Sequence, residues 1–262
     1  MPTSALQVAR TGLEAQDTRM RVIANNLANV STTAFKKDRA NFATLAYQDA
    51  RVAGAQSSSE TTYATGLNLG TGVAVQSTTR METQGSLQAT GNSFDLALDG
   101  DGYFQVSLPG GELAYTRAGN FTRSPQGELV TSQGYPVQPS ITVPEGATTI
   151  TVSEDGTVSA QVPGQSDPSQ LGQLTIASFT NPTALQATSD NFLKETAASG
   201  PVQLGIAGEE GRGHIRQGML EGSNVNIVEE LVDMIETQRA YEINSKMVSA
   251  VDEMLRNANQ TL

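Results

Sequence analysis

The sequence predicts an α+β protein, with a helix at each end of the chain and a central antiparallel β-rich domain between them. Three observations predict it. Apolar residues recur at helical spacing through the first thirty residues and again through the last forty. The long stretch between them alternates apolar and polar residues and is cut by turns rich in Gly, Asn and Asp.

In the N-terminal segment Leu6, Ala9, Leu13, Met20, Ile23 and Leu27 follow one another at gaps of three, four and seven residues. Pro2 and Thr3 suit a helix start, and the Asn and β-branched residues of Asn29 to Thr33 suit its end. Phe35, Phe42, Leu45 and Tyr47 form a shorter apolar set. Then Ala53 to Thr65, AGAQSSSETTYAT, is small and polar without a period, and reads as an extended connector.

From about Gly66 to Gly218 the pattern is strand-like. GTGVAVQSTTRMET and SFDLALDGDGYFQVSL alternate, with turn chemistry at Asp99-Gly100 and Asp101-Gly102. ELAYTRAGNFTRSPQGELVTSQGYPVQPSITVP gives short strands separated by Gly-Asn, Pro-Gln-Gly and Gln-Gly turns. ITVSEDGTVSAQV predicts a hairpin turning at Glu154-Asp155-Gly156, and GQLTIASFT adds a strand. Such blocks argue for an antiparallel domain rather than βαβ units.

The C-terminal segment is the least ambiguous. Val228, Leu231, Ile235, Ile243, Met247, Val251 and Met254 keep helical spacing, and no Gly or Pro occurs from Val225 to Leu262. Asn224 and Asn226 offer capping side chains, and Glu229 and Glu230 suit the positive end of the helix dipole. The resulting division is residues 1–34 plus 222–262 as a terminal helical unit, 35–80 as connector, and 81–221 as the β-rich domain. A lone helix cannot bury its own stripe. Two arrangements remain open on pattern alone: an ordinary pair packed on the β domain, or a coiled-coil-like pair that buries its remaining apolar face on other subunits.

Charge and composition narrow the function. The 262 residues carry a formal net charge of −11, which disfavours nucleic acid and acidic membrane surfaces as partners. The charge is uneven: Arg10, Arg19, Arg21, Lys36, Lys37, Arg39 and Arg51 lie near the start, whereas Glu229, Glu230, Asp233, Glu236, Glu242, Asp252 and Glu253 lie near the end. The ends therefore either attract one another, within or between subunits, or form two solvated faces. There is no cysteine, hence no disulfide, thiolate metal site or thiol nucleophile. No apolar run is long enough for a membrane insertion, and the start has neither the apolar core nor the cleavage site of a secretory signal.

No residue set carries chemistry. Glu112, Glu128, Glu154 and Asp155, or Asp95, Asp99 and Asp101, could serve a β-rich cell-wall glycan hydrolase, but most stand in turn contexts where Asp and Gly are chosen for backbone geometry. The three aspartates do not match a calcium-loop spacing. His214 is the single histidine, read as a loop residue, and makes neither triad nor metal cluster. The runs GLNLGTG and GEEGRG match neither nucleotide fingerprint. No enzyme activity and no cofactor is expected.

Two long motifs point elsewhere. ANNLANVSTTAFKKDRANFATLAYQ, Ala24 to Gln48, resembles the N-terminal signature of the flagellar rod and hook family, and GSNVNIVEELVDMIETQRAYEINSKMVSAVDEML, Gly222 to Leu255, resembles its C-terminal signature. Between them, GAQSSSETTYATGLNLGTGVAVQSTTRMETQGSLQATGNSFDLALDGDGYFQV is similar to the distal rod members, so the resemblance covers nearly the whole chain. One departure is Ala34 in STTAFK, where the family commonly has glycine; the local turn is expected to differ there.

The resemblance implies a structural subunit of the flagellar basal body, self-assembling into a helical tube that transmits torque across the periplasm. The paired terminal helices would form an inner coiled coil around a channel. Implied partners are further copies of the chain, proximal rod proteins, the hook protein, the P- and L-ring proteins and the flagellar type III export apparatus. The candidate self-assembly interface is Leu6, Leu13, Ile23, Asn26 and Leu27 on the first helix, with Val228, Leu231, Ile235, Tyr241, Ile243, Met247, Val251 and Met254 on the second. Asn25, Asn26, Asn29, Gln238 and Asn244 either fix register in that seam or face solvent.

Overall fold

The computed structural model describes residues 2–56, 61–147, 149–162 and 168–260, which divide into two compact units. One comprises Met1–Ala28, Asp38–Thr79 and Asn226–Leu262; the other comprises Asn29–Lys37 and Arg80–Val225. Both kinds of element predicted for the chain are present, in the predicted order of helix, β-rich middle and helix.

The first unit is built on two helices, α1 (Pro2–Ala28) and α2 (Ile227–Gln260). Asn226 caps α2, its Oδ1 accepting the Val228 N–H at 3.0 Å, while Glu229 and Glu230 occupy the first turn. The helices run antiparallel against one another: Gly12 lies beside Asn244, Arg19 beside Asp233 and Asn26 beside Glu230. The strand Asp38–Thr44 packs on α1 and pairs with the strand Val73–Arg80. Close approach is possible because Gly72 has φ +123° and no Cβ; one built there would stand 2.2 Å from the Thr11 hydroxyl.

The aperiodic segment belongs to this unit and is not merely extended. The strands Tyr47–Arg51 and Leu67–Gly70 pair antiparallel, and the ladder continues outward through Gly54 N–H to Tyr63 O and Tyr63 N–H to Ala55 O. Arg51 lies over the Tyr63 ring, 4.0 Å from its centroid. Residues 57–60, at the centre of the predicted connector, lie outside the described residues. The described arm has no hydrophobic period because neither face is buried: Tyr47, Val52, Leu67 and Leu69 are all exposed.

The second unit is β-rich, and its strand pairs are antiparallel. Its largest sheet runs in the order Gln186–Ala187, Leu193–Lys194, Leu113–Thr116, Tyr103–Ser107, Thr175–Ser178, Gln203–Ile206, with Val137–Gln138 also on Tyr103–Ser107. The predicted hairpin forms: Thr149–Val152 pairs with Thr157–Gln161 around Gly156, and Asp155 accepts the Thr157 N–H at 3.1 Å. The core gathers Leu96, Leu98, Phe104, Phe121, Leu174, Ile176 and Ile215, with the Phe104 and Phe121 rings edge to face at 5.2 Å.

The chain turns at Asp99-Gly100-Asp101-Gly102 as read, with φ +118° at Gly100 and +134° at Gly102, and there it passes from one sheet to another. Leu96–Asp99 pairs with His214–Gln217, whereas Tyr103–Ser107 enters the large sheet. Both strands are buried on both faces, so the alternation seen in the sequence does not mark a solvent face. His214 accordingly opens a strand and is no loop residue.

At Ala34 the turn keeps the left-handed conformation that a glycine would supply, with φ +55°, although an alanine occupies it. A left-handed alanine costs about 1–2 kcal/mol. Its methyl is buried, which returns about 0.8 kcal/mol, and it limits the unfolded chain more than glycine would. The terms nearly cancel. Ala34→Gly is therefore expected to change unfolding stability by less than about 1 kcal/mol, whereas the β-branched Ala34→Val should lower it by about 2 kcal/mol or more, read by urea denaturation.

Candidate self-assembly interface

The two helices present different chemistry on their facing and outward sides. On α2 the buried residues Glu230, Thr237 and Val251 keep a seven-residue step that also includes half-buried Asn244. On α1 the corresponding residues are Ala9, Gly12, Gln16, Arg19, Ile23 and Asn26, two interleaved seven-residue series. This seam is largely polar. Asn26 donates through Nδ2 to Glu230 Oε2 at 3.2 Å and to the Asp38 carbonyl at 2.9 Å, and its Oδ1 accepts the Asp38 N–H at 2.9 Å. Thr237 donates to the Asp233 carbonyl one turn back at 2.6 Å. Gln16 Oε1 is buried without a hydrogen-bond partner.

Small residues let the helices approach. A Cβ on Gly12 would sit 3.1 Å from Asn244 Nδ2, and Ala9 is almost fully buried. Opposite charge contributes little to the pairing. Arg19 and Asp233 meet at 3.4 Å with both side chains substantially exposed, a pair worth about 0–1 kcal/mol. Arg10 and Arg21 pair within α1 with Glu14 and Asp17.

The outward side of α2 carries exposed apolar residues among charged ones such as Glu236, Arg239 and Lys246. Val228 is 69% exposed, Ile235 51%, Ile243 61% and Met254 63%; Leu231, Val232 and Met247 are exposed as well. The thirteen residues singled out from the sequence are therefore sorted into separate places. Ile23, Asn26 and Val251 are buried, Leu6, Leu13 and Leu27 are half-buried, Val228, Leu231, Ile235, Ile243, Met247 and Met254 stand in the outward stripe, and Tyr241, although exposed, lies on the seam side one turn beyond Thr237. Sequence reasoning missed Gly12, Gln16, Arg19, Glu230 and Thr237 as seam residues, and Val232 as a stripe residue; Ala9 was on the apolar period but outside the interface set. Their signal is the seven-residue step itself, which a search for apolar periodicity passes over because polar residues carry it.

An open groove of about 860 Å³ borders this stripe, lined in part by Val8, Gln48, Leu69 and Met247. Among the described residues no helix is long and apolar enough to cross a membrane.

The comparisons with known proteins bear on this geometry. Three family descriptions match: the flagella basal body rod protein at residues 6–36, the flagellar hook protein FlgE/F/G D1 domain at 97–160, and the flagellar basal body rod FlgEFG protein C-terminal at 216–261. The chain is 49% identical to the flagellar basal-body rod protein FlgG of Buchnera aphidicola subsp. Acyrthosiphon pisum, over 98% of both chains. It is 46% identical to FlgG of Caulobacter vibrioides over 98% of both chains, but 34% identical to FlgF of the same organism over 96% of both.

The chain belongs to the flagellar basal-body rod family. Within that family it is most like FlgG. It is a structural rod protein and not an enzyme, as this family is structural.

Four of the carboxylates weighed as catalytic have structural partners in this rod-family chain. Glu112 pairs with Lys194 and Glu154 with Arg216; Asp155 holds the Thr157 N–H and hydroxyl; Asp95 accepts from Thr90 at 2.6 Å and Asn92 at 3.0 Å. The Lys194 hydrogen bond holds Glu112 below the usual carboxylate range, and the Thr157 N–H does the same for Asp155. A general acid needs the opposite shift.

A polar, small-residue seam gives the rod-family helix pair little to hold it together alone. Gly12→Leu should lower the helical ellipticity of the soluble chain, because overpacking costs about 1–3 kcal/mol. Gln16→Leu should raise it, by removing a buried acceptor that costs about 1–3 kcal/mol unpaired. Far-UV circular dichroism of the two variants checks both signs.

Proposed function

We propose that this chain is the distal rod subunit, assembling with copies of itself into a helical tube that carries torque from motor to hook. The observation that carries the reading is the outward apolar stripe of α2, which a monomer leaves in water. Burial of that stripe on neighbouring copies is worth roughly 25 cal/mol per Å², and contacts whose rotation does not close generate an open tube instead of a ring. The distal position is supported by the greater likeness to FlgG than to FlgF within one organism.

In this reading α1 and α2 form a coiled-coil-like pair with register fixed by the Asn26–Glu230 hydrogen bond. The helices are loosely formed before assembly and order as they join the growing tip, which couples folding to assembly. The unit that holds the two helices is the polymerising part, and the β-rich unit is the outer part. The chain leaves the cell through the flagellar type III export apparatus and spans the periplasm. It meets the proximal rod proteins below, the hook protein above, and the P- and L-ring proteins around it.

Replacing stripe residues tests this directly. Ile235→Glu with Ile243→Glu is expected to leave the β-rich unit folded and the chain exported, yet to abolish its recovery in purified basal bodies and to stop swimming. Normal incorporation of that variant would show that the stripe is not the assembly surface.

A further inference from the structure

The β-rich unit grips its own chain exits. The chain passes between the two units at Ala28/Asn29, Lys37/Asp38, Thr79/Arg80 and Val225/Asn226. Inside the β-rich unit, the three segments next to those passages are tied together by two side chains. Glu221, with a fully buried carboxylate, accepts from Lys36 Nζ at 2.6 Å, the Gly85 N–H at 2.9 Å and Arg117 Nε at 3.0 Å, and its carbonyl accepts the Ala34 N–H at 2.8 Å.

Asn224 does the same with an amide. Read from the sequence as a helix cap, it instead accepts the Lys37 N–H at 2.7 Å through Oδ1 and donates through Nδ2 to the Met81 carbonyl at 2.8 Å and the Thr83 carbonyl at 3.0 Å. The two groups meet at one atom, since Lys36 Nζ also donates to the Thr83 carbonyl at 2.8 Å. Main-chain bonds run alongside, from Met81 N–H to Lys37 O and from Asn224 N–H to Phe35 O.

We propose that Glu221 and Asn224 are positioning residues that fasten segments 33–37, 81–86 and 221–225 into one cooperative piece, so that a pull on any exit is shared by all of them. The chemistry favours this over independent anchoring. Each side chain reaches two segments other than its own, and removing one partner of the buried Glu221 carboxylate or the half-buried Asn224 amide leaves the rest unsatisfied. The buried arginine extends the tie into the sheet, because Arg117 follows the strand Leu113–Thr116 and also donates to the Gly100 carbonyl.

Hydrogen–deuterium exchange of the purified full-length chain tests it. Asn224→Asp keeps the acceptor for Lys37 but loses every donation from Nδ2. It is expected to speed exchange by roughly tenfold or more in all three segments, while peptides covering Leu96–Asp99 and Thr175–Ser178 keep their protection. Glu221→Gln, similar in shape, should loosen the same three segments, and the double variant should exchange little faster than the worse single one. Loosening confined to 221–225, additive effects, or equal loss in the core peptides would each overturn the proposal. If Glu221→Gln does not fold, the Asn224→Asp profile decides alone.

Discussion

A helix of 34 residues that buries polar groups on its partner and turns its apolar residues outward sets the terms for the rest of this molecule. The usual amphipathic arrangement would place Val228, Ile235, Ile243 and Met254 against α1. Here Glu230, Thr237 and Asn244 occupy that side, facing Asn26, Gly12 and their neighbours. Such a seam discriminates register well and stabilises weakly. The apolar residues that could have held the helices together stand exposed instead.

The β-rich unit meets the opposite demand. Its core residues are almost wholly buried within the unit, aromatic rings lock edge to face, and its hairpins are fixed by local turn chemistry. The chain thus divides into a unit with a closed core and a unit that leaves apolar helix residues exposed. The Glu221 and Asn224 node belongs to the closed unit, and there it gathers the segments that lead to the other.

Much of this was legible in the chain. Helical spacing located both helices, because a 3.6-residue period leaves a mark whether the stripe faces a core or a neighbour. Asn226 was recognisable as a cap, and Glu154-Asp155-Gly156 as a turn, because both depend on residues within a few positions of each other. The paired terminal motifs carried the family. The polar seam was not legible, since Glu230 and Thr237 look like solvent-facing residues until a second helix lies against them. Asn224 looked like a cap for the same reason: its partners Lys37, Met81 and Thr83 are distant in sequence.

The sequence by itself determined the order of elements, the family and the absence of cysteine chemistry, because those rest on local pattern and composition. Only the tertiary structure decided which side of each helix is spent within the chain, that Asp99-Gly100 is a corner between sheets, and that the aperiodic segment folds back as a paired arm. These are outcomes of contact between residues far apart along the chain. A period can say that a face exists, but the packing of other elements decides what the face meets.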